Sequence, residues 1–280
     1  MKTSMNLLLW TAAAGEEHIG LVKQIKDWGF DGVELPMFAP DCSPWKTYAA
    51  LLNDLDLGAS AVAVLPEGSS LISDDKGENQ AAVDFLKACI DSCTKVGAHT
   101  LCGPLYNPVG KLVGRGPTED ERKRCIEGLD TVGTYAQESG VALAVEPLNR
   151  FETYFLNSQA DGAALVEAVG NPAVGILFDT FHSNIEEKSI ADAIATVGPH
   201  IKLVHISAND RATPGEDHVP WQEVFTALRA AKYDGWLVIE AFGLWLPELA
   251  AATCIWRKMA PSEEHLARNG LKFIRQMLAK

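Results

Sequence analysis

Short apolar runs alternate with longer amphipathic stretches along this chain, and the alternation predicts eight strands with helices between them. The predicted strands are Asn6–Trp10, Gly32–Leu35, Ala59–Val64, Thr100–Cys102, Val141–Val145, Gly175–Phe178, Lys202–Ile206 and Trp236–Ile239. Most are unbroken runs of Val, Ile, Leu and Ala without polar alternation, as expected of parallel strands buried on both faces. The predicted helices are His18–Trp28, Asn79–Val96, Glu119–Glu138, Ser158–Val169, Ser189–Val197, Trp221–Ala231 and Glu263–Leu278. Thr118 with Glu121 forms a capping-box pattern that opens the third of these. Gly29, between Trp28 and the second strand, suits a helix C-cap.

Eight strand–helix repeats in 280 residues predict a single (β/α)8 TIM barrel spanning residues 1–280. An open doubly wound sheet is the runner-up, but it usually opens with a glycine-rich phosphate loop. Here the first loop reads Thr11-Ala12-Ala13-Ala14-Gly15. No linker, charge run or low-complexity stretch divides the chain. Residues 243–261 form a long connection bearing Trp and Pro, suited to covering a site or meeting a second subunit.

Net charge is −13, which argues against nucleic acid and anionic membrane as partners. It leaves room for a neutral ligand such as a sugar, and for a divalent cation. The six cysteines (42, 89, 93, 102, 125 and 254) form no CxxC pair and read as buried thiols. Cys89 and Cys93, at i and i+4 on a helix face, could alternatively bind a metal. The Leu7–Trp10 run is too short for a signal-peptide core, so a reduced, cytoplasmic protein is expected.

Barrel enzymes work at the C-terminal ends of their strands. There Glu146 ends the fifth strand, Asp179 the sixth and Glu240 the eighth, while His205 lies within the seventh. One carboxylate after a strand is commonly a helix cap or half of an ion pair, and one strand histidine is commonly a core residue. Four such groups on successive strands of a closed barrel face one volume, where three carboxylates repel. A divalent cation resolves that repulsion. An oxygen-rich shell with one imidazole favours Mn2+, with Mg2+ or Co2+ as alternatives, over thiolate-bound Zn2+.

Four stretches resemble the ketose 3-epimerase family of xylose isomerase-like barrels, the D-tagatose and D-allulose (psicose) 3-epimerases. They are Val145-Glu146-Pro147-Leu148-Asn149-Arg150-Phe151-Glu152, Phe178-Asp179-Thr180-Phe181-His182, Val204-His205-Ile206 with Arg211 and Pro220-Trp221, and Val238-Ile239-Glu240. The resemblance is strongest over 141–242. It implies C3 epimerisation of free ketoses by a homodimer or homotetramer. It implies Glu146, Asp179, His205 and Glu240 as metal ligands and Glu146 and Glu240 as the catalytic pair. Glu152, His182 and Arg211 would hold the O1/O2 end of the sugar. The first half departs from the family pattern: Ala13-Ala14-Gly15-Glu16 stands where well-studied members carry a Trp, and the loop 103–109 lacks another.

Outside that set, Glu34 reads equally as an acceptor that orients a metal ligand or as a helix cap. Trp10 and Tyr106 are candidates for stacking on the sugar, and Trp10 equally for core packing. Rival readings are an aldose–ketose or hydroxypyruvate-type isomerase on the same barrel, an endonuclease IV-like phosphodiesterase, and a non-catalytic sugar-binding protein. Seven histidines and the acidic balance count against the phosphodiesterase.

Overall fold

A computed structural model describes residues 1–40 and 44–280; Cys42 lies outside the described residues. Its strands are β1 (Lys2–Asn6), β2 (Gly32–Pro36), β3 (Gly58–Val62), β4 (Thr100–Gly103), β5 (Ala142–Val145), β6 (Val174–Asp179), β7 (Ile201–Ile206) and β8 (Trp236–Ile239). They pair in sequence order, all parallel, and β8 closes on β1 through Met5↔Ile239. The chain is therefore a closed (β/α)8 barrel, and the open-sheet alternative is excluded.

The helices are α1 (Ile19–Trp28), α2 (Trp45–Asp54), α3 (Lys76–Val96), α4 (Glu119–Glu138), α5 (Gln159–Val169), α6 (Thr180–Glu186), α7 (Ile190–Val197), α8 (Trp221–Ala230), α9 (Pro247–Ala252) and α10 (Glu263–Leu278). Gly29 does cap α1, at φ 101° in the left-handed region that favours glycine. Among the described residues no helix is long and apolar enough to cross a membrane.

The first strand lies earlier than the hydrophobic pattern predicts. Leu7–Leu9 form a 3-10 turn, capped by the Asn6 side chain accepting from Leu8 N–H at 2.8 Å. The strand proper carries the buried polar residues Thr3, Ser4 and Asn6. Thr3 is satisfied by Asp31, to which both its backbone N–H and its hydroxyl donate at 2.8 Å. Hydropathy alone therefore marked the wrong end of the segment. Helices α2, α6 and α9 also escape the sequence pattern. Two are one to two turns long, and α2 buries a sparse Trp45/Tyr48/Leu52 stripe.

The barrel interior follows the two-residue period of its strands. Val62, Cys102, Ala144, Leu177, Leu203 and Val238 form an inner cluster separate from the main core between sheet and helices. Below it the Trp236 ring crosses Gly32 and Gly58, where an added Cβ would come within 3 Å of the indole. Above it, two residues further along β5, β6, β7 and β8, stand Glu146, Asp179, His205 and Glu240. Leucine, valine and alanine thus form the floor on which the four ionisable groups sit.

The predicted capping box of α4 is present and enlarged. Glu121 accepts from Thr118 N–H at 2.7 Å, from both Arg115 nitrogens at 2.8 and 2.9 Å, and from the Tyr154 hydroxyl at 2.8 Å. The Arg115 hydrogen bonds, with those from Thr118 and Tyr154, bring its carboxyl down to about 2. A carboxyl lowered on folding stabilises above its unfolded value of about 4.3 and loses that contribution as pH falls toward 2. Glu121→Ala should cost about 2 kcal/mol at pH 7. Urea unfolding should show the gap between variant and parent narrowing steadily from pH 4.5 to pH 3; a gap independent of pH would exclude this origin.

Candidate active site

Four buried groups converge at the C-terminal mouth. One ligand atom each from Glu146, Asp179, His205 and Glu240 lies within 4.8 Å of the others. Asp179 ends β6 and caps α6: its Oδ1 accepts from Phe181 N–H at 2.6 Å and His182 N–H at 3.0 Å. That leaves Oδ2 turned to the cluster without a hydrogen-bond partner. Oε1 of Glu146 and Nδ1 of His205 are likewise unpartnered. His205 Nδ1 stands 3.2 Å from Glu240 Oε1 and 3.6 Å from Asp179 Oδ2. The ring is oriented from behind by Nε2, 2.8 Å from Glu34 Oε1. Buried polar atoms are normally paired, so three orphans in one cluster describe a site shaped for a further group. Two carboxylate oxygens and an imidazole nitrogen are donors suited to a divalent cation, and Glu240 completes the set.

The electrostatics agree. Burial, then the charges of Glu240 and Asp179, push the Glu146 carboxyl well above the usual carboxylate range. Glu240 is buried as deeply, yet the positive charges of His205 and Arg211 hold it below that range. Two neighbouring carboxylates thus sit in opposite environments. The cost of crowding carboxylates falls on Glu146, and a bound cation would relieve it.

Arg211 and His182 form one wall. Arg211 Nη1 donates to Glu240 Oε2 at 2.7 Å, and its guanidinium stacks on Phe181 at 3.7 Å. Its backbone takes φ 62°, a left-handed conformation uncommon outside glycine. The backbone N–H of Asn149 donates to His182 Nδ1 at 3.0 Å. An acceptor at Nδ1 leaves the ring proton on Nε2 when the imidazole is neutral. Burial, then Arg211, lowers the His182 pKa and favours that neutral form. His182 Nε2 and Arg211 Nη2 are 3.1 Å apart, two donors converging where a ligand oxygen would serve both.

The cavity measures about 340 Å3. Its lining combines Glu146, Glu152, His182, Arg211 and Glu240 with an apolar set that includes Leu8, Phe38, Val62, Val64, Leu65 and Pro66.

A model of the xylose isomerase-like TIM barrel matches residues 22–277. A probable ketose 3-epimerase of Synechocystis sp. is 35% identical over 99% of this chain and 96% of its own length. Among solved structures, an L-ribulose 3-epimerase superposes with TM-score 0.94 at 29% identity, covering 99% of this chain and 94% of its own. A D-psicose 3-epimerase crystallised in the presence of D-fructose superposes with TM-score 0.89 at 27% identity, over 100% of both chains. The chain belongs to the ketose 3-epimerase family. It is therefore an enzyme, an isomerase acting on carbohydrates.

In this epimerase-family chain, all seven residues singled out at the strand ends and the loops after them lie at one mouth. Glu152 enters through Asn149, whose side-chain amide donates to its Oε1 at 2.7 Å. The two aromatic candidates do not line the cavity. Tyr106 is fully buried against Phe155, its hydroxyl donating to the Glu146 carbonyl at 3.1 Å. Trp10 packs on Trp28 with ring centroids 6.2 Å apart. Both sit on the core side of the elements they were read on, which hydrophobicity could not reveal. Cys89 and Cys93 are buried in α3.

Sequence reasoning missed Asn149, Cys102 and Ser207. Asn149 could have been found as the polar residue between Glu146 and Glu152. Ser207, whose hydroxyl donates to the Glu240 carbonyl at 3.1 Å, stands two residues past His205 and so on the same inner face. Cys102 carried no signal apart from its place in a strand.

Proposed function

We propose that this enzyme epimerises free ketoses at C3, of the D-allulose/D-fructose, D-tagatose or L-ribulose type. The observation that carries the reading is the trio of orphaned atoms on Glu146, Asp179 and His205 beside the charge-clamped Glu240. Those four residues would hold the divalent ion, Mn2+ in preference to Mg2+ or Co2+. Bound there, it supplies Lewis acidity that draws charge from the ketose oxygens and acidifies the C3 hydrogen.

The chain's own groups do the rest. Arg211, His182 and Glu152 hold the O1/O2 end of the ketose, His182 donating through Nε2–H. Glu146 and Glu240 enter from β5 and β8. One carboxylate takes the C3 proton from one face as the electrons delocalise onto the C2 carbonyl oxygen. The other returns a proton to the opposite face, which inverts C3. A single base would tend to restore the starting configuration. The apolar floor and the buried walls keep bulk water from competing for these protons.

Apart from those five ionisable residues and Thr253, the cavity lining is aliphatic and aromatic, a poor home for a phosphate dianion. Free ketoses should therefore exceed the corresponding 6-phosphates by about a hundredfold in kcat/KM, a difference of roughly 2.7 kcal/mol in transition-state binding. A chromatographic screen of ketohexoses, ketopentoses and their phosphates with Mn2+ tests this. Preference for a ketose phosphate would refute the substrate class.

The buried thiols of Cys93, Cys102 and Cys125 fit a reducing compartment, and so the cytoplasm. Exposed Phe151, Trp245 and Trp256 support assembly as a homodimer or homotetramer.

A further inference from the structure

Glu34 is fully buried in the middle of the barrel, on β2, and its carboxylate makes four close polar contacts. Its Oε1 accepts from Asn6 Nδ2 at 2.9 Å and lies 2.8 Å from His205 Nε2. Its Oε2 accepts from the Ser60 hydroxyl at 2.8 Å and the Cys102 thiol at 3.3 Å. Three of the four are donors by their own chemistry. The Asn6 amide is oriented because its oxygen accepts from Leu8 N–H, and a hydroxyl or thiol facing a carboxylate oxygen donates. Register accounts for the assembly: Asn6, Glu34 and Ser60 are aligned partners across β1, β2 and β3. From that row Glu34 spans the barrel to His205 on β7.

With Asn6, Ser60 and Cys102 all donating to it, the Glu34 carboxylate presents an acceptor oxygen to His205 Nε2 at 2.8 Å, and an N–H at Nε2 completes the set. The proton fixed there leaves Nδ1 as the ligating nitrogen. Nδ1 is the orphaned atom that faces Glu240 and Asp179.

We infer that Glu34, steadied by Asn6, Ser60 and Cys102, is a positioning residue that fixes the His205 tautomer and ring plane so that Nδ1 is presented to the metal. This inference rests on the four-residue metal reading given above and extends it to a residue that does not touch the ion. The competing role is a purely structural ion pair between Glu34 and a protonated His205. That role predicts a less stable metal-free fold and an unchanged metal affinity.

The experiment titrates metal-depleted protein with Mn2+ and reads free Mn2+ by its electron paramagnetic resonance signal, without substrate. Glu34→Gln should weaken binding 10- to 100-fold, the usual loss when the partner behind a ligating histidine is removed. Ser60→Ala, which keeps the carboxylate and removes one of its donors, should weaken it less. This milder variant carries the test if Glu34→Gln does not fold. Melting in the same samples separates the roles: the melting-temperature rise produced by a fixed Mn2+ concentration should shrink in both variants. Unchanged affinity in folded Glu34→Gln, or in Ser60→Ala where that variant carries the test, would overturn the inference and leave the metal reading standing. Wild-type protein that binds no Mn2+ would overturn both. Because no turnover is measured, the outcome is independent of which sugar the enzyme uses.

Discussion

Glu146→Gln and Glu240→Gln should each lose C3 epimerisation by about a thousandfold in kcat, the scale of a positioned acid–base group. Alanine would confound two roles, because both residues are proposed as ligands as well as proton carriers. Glutamine keeps a carbonyl oxygen in the same place and removes the basic site. If each carboxylate serves one face of C3, abstraction and return remain available on the face whose Glu survives. Each variant should then exchange the C3 hydrogen of one epimer with solvent deuterium, and the exchanging epimer should differ between the two. Mass spectrometry of the recovered sugar, with metal content checked in each sample, reads this directly. Retained epimerisation in either metal-loaded variant would reduce that Glu to a ligand. The two groups already sit in unlike environments, with Arg211 2.7 Å from Glu240 and Glu146 crowded by buried carboxylates.

Removing the metal should abolish activity and lower the melting temperature together. A ligand that binds only the folded state at a hundred times its Kd contributes about 2.7 kcal/mol. For a domain of this size that corresponds to roughly 5 °C. The unmet demand is local: in its absence Glu146 Oε1, Asp179 Oδ2 and His205 Nδ1 remain buried without partners. Chelation followed by Mn2+ addition, monitored by calorimetry and by turnover, should take both quantities down and back. Full activity in thoroughly demetallated protein would remove the proposed mechanism.

Glu146, Asp179, His205 and Glu240 were legible because a parallel barrel turns sequence order into spatial order, whereas Glu152, His182 and Arg211 came from the family resemblance. A polar residue after an apolar strand must come to the mouth, and four on consecutive strands must come to the same part of it. The strand period refines this. Leu177 to Asp179, Leu203 to His205 and Val238 to Glu240 are each two residues, so floor and site share the inner face. What stayed hidden depends on direction or on the opposite wall. Tyr106 and Trp10 are aromatic residues near a sugar site whose side chains nevertheless point into the core. Glu34 was ambiguous because its partner is 171 residues away across the barrel. The first strand was misplaced because its polar residues are satisfied by tertiary contacts, Thr3 to Asp31 and Asn6 to Glu34. Hydropathy therefore favoured the Leu7–Leu9 turn beside them.

Turnover of a free ketohexose by the Mn2+-loaded enzyme in deuterium oxide, with product examined by proton NMR, tests the central claim most directly. C3 epimerisation by two carboxylates predicts a product inverted at C3 that carries one deuterium there and none at C1. Deuterium at C1 or C2 with an aldose as product would show proton transfer between C1 and C2, and would contradict the C3 chemistry assigned to Glu146 and Glu240.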